Sequence, residues 1–570
     1  MQKKLLPIGI QAFEDIRQNN FIYVDKTQAI WELACNPKGV YFLARPRRFG
    51  KSLLLSTLSA LFQGKRELFK GLWIEQEGKW DWAQKHPVIH LDMTQVPRVT
   101  SQQLEQGLAL CMKKIIRSHK LNVDLDQPAA GLLRDTVEEL SNPLPPVLLI
   151  DEYDAPLVDH LRGSDAQEWN ANLKIAEANR QILKDFYGIL KAQGGNLRFL
   201  MVTGVSKVAH LSVFSGLSNL NDITLHNRYD TLLGYTQQEL ENNFAPYIEE
   251  LARKEGSSKQ DTLNKIRRWY DGYCFSRQGK YVYNPFSTLL LFDHQEFESH
   301  WYATGTPTLL TNTLKRYGDV QPTDLVNATL SESAFTSYKL QSIHESLLPL
   351  MVQTGYLTLK TYDRTTRTYT LDYPNQEVRE AFTESLLQSY THSAQGKTIN
   401  DVLQLSRALE KNDLPEYFVA LRRILAGISY ELHIPLERYY QTVFYLIHQL
   451  LGYHVATEVR TNTGRIDAVI DLDQHTYVFE FKLEAGTAPI FESDVHKRSI
   501  LQQLKDPVKQ AQHAAELQSQ HEPLAQKALQ QIQDKQYHAK YLGKGKPVTL
   551  IGAVFTVNTL QGEPIRQVTA

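Results

Sequence analysis

Between Val40 and about Leu225 four short apolar runs, VYFLA, PVIHLDM, PVLLIDE and LRFLMVTG, alternate with longer stretches of helical period. Runs of this kind read as buried strands, and their alternation with helices predicts an α/β unit on a mostly parallel sheet. No other feature restricts the fold so much. The chain has 570 residues, too many for one ordinary core, so further domains are expected beyond it.

The first run leads into FLARPRRFGKSLLLSTL, which sets Gly50, Lys51 and Ser52 between a strand and an amphipathic helix. A helix start presents free N–H groups and the positive end of the helix dipole. Arg48, Phe49 and Gly50 then belong to a loop around a nucleotide phosphate, Lys51 reaches the β- and γ-phosphates, and the Ser52 hydroxyl binds Mg²⁺. The usual first glycine of such a loop is replaced by Arg45. The basic cluster Arg45, Arg47, Arg48 and Lys51 is accounted for by nucleotide phosphates without invoking nucleic acid.

The strand PVLLIDE supplies the complementary half. Asp151 is expected to hold Mg²⁺ and Glu152 to polarise the attacking water as general base. Thr203, at the end of LRFLMVTG, stands where a γ-phosphate is sensed.

Near the other end, TYVFEFKL alternates strictly, so Glu480 and Lys482 share one face and Phe479 and Phe481 the other. GRIDAVIDL places Asp467 on an adjacent strand of a predicted hairpin. Two carboxylates suit Mg²⁺ or Mn²⁺, which can activate water against a phosphodiester, while Lys482 orients that water or stabilises the pentavalent phosphorus. The bland alternative is a salt-bridge cluster on a hairpin.

Taken together, YVDKT (Tyr23 to Thr27), ARPRRFGKS, LLIDEYDAP, VTGVSK (Val202 to Lys207), WYDGYCF and VYNPFS resemble the bacterial AAA-ATPase-like family with a C-terminal PD-(D/E)XK nuclease domain. The resemblance implies that the replaced loop glycine is a family trait. It also implies accessory nuclease residues: Glu437 on a leading helix, Glu458 on the preceding strand, and Gln531 and Tyr537 on the QIQDKQYHAKY segment, the last two for phosphate or water contacts. About 50 residues separate Lys482 from Gln531, where the family keeps a short connection.

The expected architecture is therefore α/β: an N-terminal P-loop NTPase over residues 1–230, a helical lid and linking region over 231–430, and a restriction-endonuclease-like α/β domain over 431–570 in the order helix, three strands, helix, strand. WYDGYCF is expected in an apolar core, with a base-stacking platform as the alternative. The Gln-rich stretch 501–536 reads as a helical insertion.

Composition limits the partners. The net charge is −1, and the last 140 residues hold 14 Lys and Arg against 15 Asp and Glu, so any nucleic-acid contact is local. The three cysteines lack a CxxC pair, and the 18 histidines show no HExxH or other ligand spacing, so none is assigned to a metal. The N-terminal segment has no signal-peptide core and no 18-residue apolar run occurs, which reads as cytoplasmic and not membrane-bound.

The functional expectation is an ATPase with a Mg²⁺-dependent nuclease domain: cleavage of nucleic acid, DNA in the first place, under control of ATP, which would switch the arrangement or assembly of copies of the chain. The rivals are an ATP switch whose C-terminal domain binds nucleic acid without cutting it, and an ATPase-based oligomer in which that domain is only a partner surface.

Overall fold

The structure, a computed structural model, describes residues 3–163, 166–301, 325, 327–335, 346–391, 395–426, 437–451, 455–461, 464–484, 524–542, 545–556 and 565–569. The chain divides into two compact units, the first made of residues 1–320 and 324–379, the second of 321–323 and 380–570.

Five parallel strands form the centre of the first unit: β1 (Gly39–Ala44), β2 (Val88–Asp92), β3 (Val147–Asp151), β4 (Phe199–Gly204) and β5 (Asn221–Asp222), in the order β2-β3-β4-β1-β5. Every residue of β3 and β4 is buried, the mark of a parallel sheet covered on both faces. Because the strands run the same way, the loop after β1, Asp151 and Thr203 emerge at one edge. Ile150 pairs with Val202, which sets Asp151 and Thr203 at the same level.

Residues after 230 are largely helical. Helices Gln237–Glu255, Lys259–Tyr270 and Pro285–His294 each begin on a capping side chain, Thr236, Ser258 and Asn284, which satisfies N–H groups that a helix start leaves open. Their apolar faces share a core with Ile22 and Val24, so the YVDKT segment is packed against this later stretch. Its polar residues are structural. Asp25 accepts from Thr27 N–H at 2.8 Å and Trp73 N–H at 2.7 Å, and Lys26 reaches Glu239 at 2.7 Å.

The middle stretch also holds strands that its helical periodicity did not signal: a hairpin of β6 (Tyr273–Cys274) and β7 (Tyr281–Val282), and a sheet β8-β10-β9 made of β8 (Thr329–Ser331), β9 (Thr358–Asp363) and β10 (Thr368–Asp372). Tyr270, Tyr273 and Phe275 of WYDGYCF are buried, with Phe49 4.9 Å from Tyr273 and 5.4 Å from Phe275 between ring centroids. These rings are core, as expected, and offer no platform for bases.

Glu377 ties another part of this unit together. Fully buried, it accepts the Trp301 N–H at 2.5 Å, and the Trp301 indole donates to the Arg47 carbonyl at 3.1 Å. Burial pushes the Glu377 carboxyl up to about 7 from an ordinary 4.5, the Trp301 N–H pulling the other way. The folded chain therefore holds this proton more tightly than the unfolded one. Its contribution to stability is complete below about pH 4.5 and is lost as pH rises through about 7, on the order of 3 kcal/mol in all. Melting curves taken across this window should show Glu377→Gln with a flatter pH dependence than the wild type; parallel curves would contradict the assignment.

The second unit is built on the sheet β11-β12-β13-β14-β15, with β11 (Val455–Thr461), β12 (Gly464–Asp471), β13 (Thr476–Glu484), β14 (Val548–Thr556) and β15 (Ile565–Thr569). Only β13 and β14 are parallel. Helix Glu437–Leu450 precedes β11, and a helix over 524–534 precedes β14, so the expected order of helix, three strands, helix, strand is present with β15 added. Phe479 and Phe481 are buried against Phe444, each at 4.9 Å between ring centroids, worth roughly 2–3 kcal/mol per ring. On the other face, a Cβ at Gly552 would fall 2.2 Å from the Ala525 carbonyl. Only glycine lets the 524–534 helix lie this close to β14.

Candidate active sites

At the carboxyl edge of the parallel sheet, Gly50 caps the helix Lys51–Phe62 with φ +92, a left-handed backbone that glycine adopts without a Cβ penalty. The Lys51 amine donates to the carbonyls of Arg45 at 3.0 Å and Pro46 at 3.1 Å and pairs with Glu152 at 3.1 Å. Ser52 Oγ donates to one Asp151 oxygen at 2.5 Å, and Thr203 Oγ1 to the other at 2.6 Å. The five residues from three separate segments thus form one connected group. A cavity of about 420 Å³ opens onto it, with Arg48, Gly50, Lys51, Ser52 and Glu152 in its wall. A larger one of about 750 Å³ lies alongside, sharing Arg47, Arg98 and Asp159 and reaching Trp301; the smaller holds the chemistry.

Glu152 has φ 52, a left-handed conformation that costs a non-glycine residue about 1 kcal/mol or more and is retained mostly at functional positions. Burial raises its carboxyl above the ordinary range, against the pull of Lys51, the direction a general base needs.

Two residues of the loop depart from expectation. The Arg45 guanidinium is fully buried and turned away from the cavity, donating to the carbonyls of Ala44 at 3.0 Å, Thr224 at 2.6 Å and Tyr229 at 3.3 Å and lying 4.0 Å over the Phe275 ring. Burial lowers it to about 9. Arg45 therefore leaves the phosphate cluster and acts as a brace beneath the loop, so its place in that cluster is corrected. The Phe49 side chain likewise points into the aromatic core, and Phe49 is not among the residues of the cavity wall.

Asp154 and Tyr153 were not singled out from the sequence. Asp154 accepts from Val205 N–H at 3.1 Å, Ser206 N–H at 2.8 Å and Ser206 Oγ at 2.7 Å, while the Tyr153 hydroxyl donates toward the carbonyls of Ser206 and Val208. Buried Lys207 pairs with Asp222 at 2.5 Å. The DEYDAP and VTGVSK motifs are thereby fastened to each other, and the third acid of DEYD is the available signal.

In the second unit Ala468 pairs with Phe479, so Asp467 stands one step on, level with Glu480. Asp467 Oδ2 accepts the Phe481 N–H at 2.7 Å. Glu480 is only 2% exposed; the Lys482 amine lies 3.3 Å from its Oε1, and the Gln531 amide donates to the same oxygen. A carboxylate is costly to bury unless charge or hydrogen bonds compensate it, and Lys482 and Gln531 do so here. Gln531 is thus brought to the site across the 39 residues from 485 to 523, which lie outside the described residues, as does most of the Gln-rich stretch.

Tyr537 is not at the site. It is buried in a core with Ile532, Tyr541 and Val478, after the chain turns at the end of the 524–534 helix. Its expected phosphate contact is corrected to a core role. Glu437 begins the helix Glu437–Leu450 and Glu458 lies on β11, but the side chains of both are outside the described residues.

The donors suit the ions expected. Asp151 with the Ser52 hydroxyl, and Asp467 with Glu480, are hard oxygen sets fit for Mg²⁺ or Mn²⁺.

Residues 7–214 match the family described as predicted AAA-ATPase, and residues 436–516 match the PD-(D/E)XK nuclease superfamily. An Azotobacter chroococcum mcd 1 protein, named "Uncharacterized protein in vnfD 5'region", is 34% identical over 98% of this chain and 97% of its own length. Among solved structures, Drosophila ORC bound to GC-rich DNA and Cdc6 is matched at 12% identity over 75% of this chain and 61% of the matched chain, TM-score 0.23. The AT-rich counterpart gives 13%, 77%, 71% and 0.21. Such TM-scores bear on neither fold nor site. No helix among the described residues is long and apolar enough to cross a membrane, and the three cysteines are free thiols.

Proposed function

Because the chain belongs to the family of predicted AAA-ATPases that carry a C-terminal PD-(D/E)XK nuclease superfamily domain, we propose that it is a cytoplasmic enzyme that hydrolyses ATP in residues 1–230 and, under control of that cycle, cleaves DNA in residues 431–570. The observation that carries this reading is the gathering of Asp467, Lys482 and Gln531 around the buried Glu480, in a chain that also brings Lys51 and Glu152 together. A binding-only domain has no need of that charge on one strand face.

In the ATPase part, Lys51 would turn its amine from the loop carbonyls to the β- and γ-phosphates, and backbone N–H groups after Arg48 would receive the remaining oxygens. Glu152, released from Lys51 in the same movement, would take the proton of the attacking water. Asp151 and Ser52 would hold Mg²⁺, with Thr203 fixing the orientation of the Asp151 carboxylate. In the nuclease part, Asp467 and Glu480 would hold Mg²⁺ or Mn²⁺. Bound in these places, the ions would neutralise charge on the phosphates and, at the nuclease site, lower the pKa of water. Lys482 would orient the attacking water or meet the charge that develops on phosphorus, and Gln531 would keep Glu480 in position.

The ATPase half is tested by Glu152→Gln. The amide still hydrogen-bonds but cannot take a proton, so ATP affinity should stay within a few-fold while phosphate release slows by about 10²–10⁴-fold. A fall in affinity as large as the fall in turnover would make Glu152 a structural residue.

A further inference from the structure

The helix Pro285–His294 lines the nucleotide cavity with Pro285 and Phe286 at its first turn. At its other end the chain reverses. Gln295 adopts φ 57, and its N–H closes the helix on the Leu291 carbonyl at 2.8 Å. The reversal returns Glu298 and His300 alongside His294, so that one ligand atom from each of the three lies within 4.8 Å of the others.

Much of this arrangement is fixed before any ligand arrives. The Tyr270 hydroxyl accepts the Glu298 N–H at 3.0 Å and donates to the Glu298 carbonyl at 3.0 Å. The His300 ring stacks on Tyr270, 6.0 Å between centroids and 21° between planes. His300 is 6% exposed, and its Nε2 is buried with no hydrogen-bond partner. Leaving a buried nitrogen so is costly, and a ligand at that atom would recover the cost. A neutral imidazole binds metals through the lone pair of one ring nitrogen.

We propose that His294, Glu298 and His300 form a binding site for one first-row transition-metal dication of the Zn²⁺ type, separate from both Mg²⁺ sites. Two imidazoles and one carboxylate favour Zn²⁺ or Co²⁺ over Mg²⁺ and Ca²⁺, which take oxygen sets. Tetrahedral coordination at zinc distances requires ligand atoms about 3.4 Å apart, closer than the 4.8 Å limit of the present arrangement. His294 and Glu298 are exposed and close the difference by side-chain rotation, while His300 stays in place. The Asp293 carboxylate, 3.9 Å from His294 Nε2, adds negative charge. Three protein ligands leave a fourth position for water or another donor. The ion would join the helix end to His300, whose neighbour Trp301 holds the Arg47 carbonyl through its indole.

The test is a Co²⁺ titration of the full chain carrying Asp467→Ala, which breaks the nuclease carboxylate pair, followed by visible absorption and by competition with Zn²⁺ and Mg²⁺. One equivalent should bind with a spectrum of imidazole-ligated, low-coordinate Co²⁺ that Zn²⁺ displaces and millimolar Mg²⁺ does not. His294→Ala and Glu298→Gln alter exposed side chains and should melt within a few degrees of the parent, yet weaken Co²⁺ binding by at least about tenfold. His300→Asn should do the same. Co²⁺ affinity and spectrum left unchanged in both His294→Ala and Glu298→Gln, or displacement by Mg²⁺ as effective as by Zn²⁺, would overturn the proposal.

Discussion

Alanine at Lys51 should abolish ATP hydrolysis, a loss of at least about 10³-fold in phosphate release. The amine is the one lysine in the loop's connected group. It spans the carbonyls of Arg45 and Pro46 and the carboxylate of Glu152, so its removal acts twice. The phosphates lose their cation, and Glu152 loses the charge that opposes the rise in its proton affinity from burial. Lys51→Arg separates the two effects, since a guanidinium keeps the charge but not the compact geometry; it should restore ATP binding more than turnover. Hydrolysis by Lys51→Ala at the wild-type rate would remove the loop from the mechanism.

Asp467→Ala and Glu480→Ala should each eliminate Mg²⁺-dependent cleavage while leaving ATP hydrolysis within about twofold, because the altered residues belong to a different compact unit from Lys51, Asp151 and Glu152. The carboxylates serve the ion. Asp467→Ala also frees the Phe481 N–H, and Glu480→Ala leaves Lys482 and Gln531 without their shared acceptor. Asp467→Asn and Glu480→Gln therefore belong in the same series. They keep the hydrogen bonds, so activity lost in these as well as in the alanine variants is attributable to lost negative charge and not to a disturbed sheet. Lys482→Ala should cut cleavage to a similar extent with metal binding retained, since its amine lies outside the ion's donor set. Metal affinity lost in Lys482→Ala as fully as in Asp467→Ala would place the lysine's effect on the carboxylates instead.

The sequence disclosed most where chemistry and periodicity coincide. The apolar runs became β1 to β4, and the acids and loop that terminate them meet because parallel strands share an edge. Strict alternation in TYVFEFKL correctly separated the faces of Glu480 and Phe481. Less legible were features set by contacts far apart in sequence. Arg45 reads as one more phosphate-loop cation until Thr224 and Tyr229, some 180 residues on, are seen to receive its guanidinium. Tyr537 lies five residues after Ile532, and only the turn that follows the helix tells that both side chains enter one core. The strands β8 to β10 are short and rich in Thr and Tyr, without the apolar content that marked β1 to β4. The trio His294, Glu298 and His300 matches no familiar spacing because a left-handed Gln295, and not a helical repeat, brings it together.

The central claim, that the two sites act in concert on nucleic acid, is tested most directly by one cleavage assay. Labelled single- and double-stranded DNA and RNA are incubated with Mg²⁺ or Mn²⁺, with and without ATP, and with the wild type, Lys51→Ala and Asp467→Ala side by side. Cleavage of DNA by the wild type should depend on ATP, be reduced in Lys51→Ala although its nuclease residues are intact, and be absent in Asp467→Ala. Wild-type cleavage no greater than that of Asp467→Ala on every substrate would contradict the claim and leave an ATP-driven switch that binds nucleic acid without cutting it.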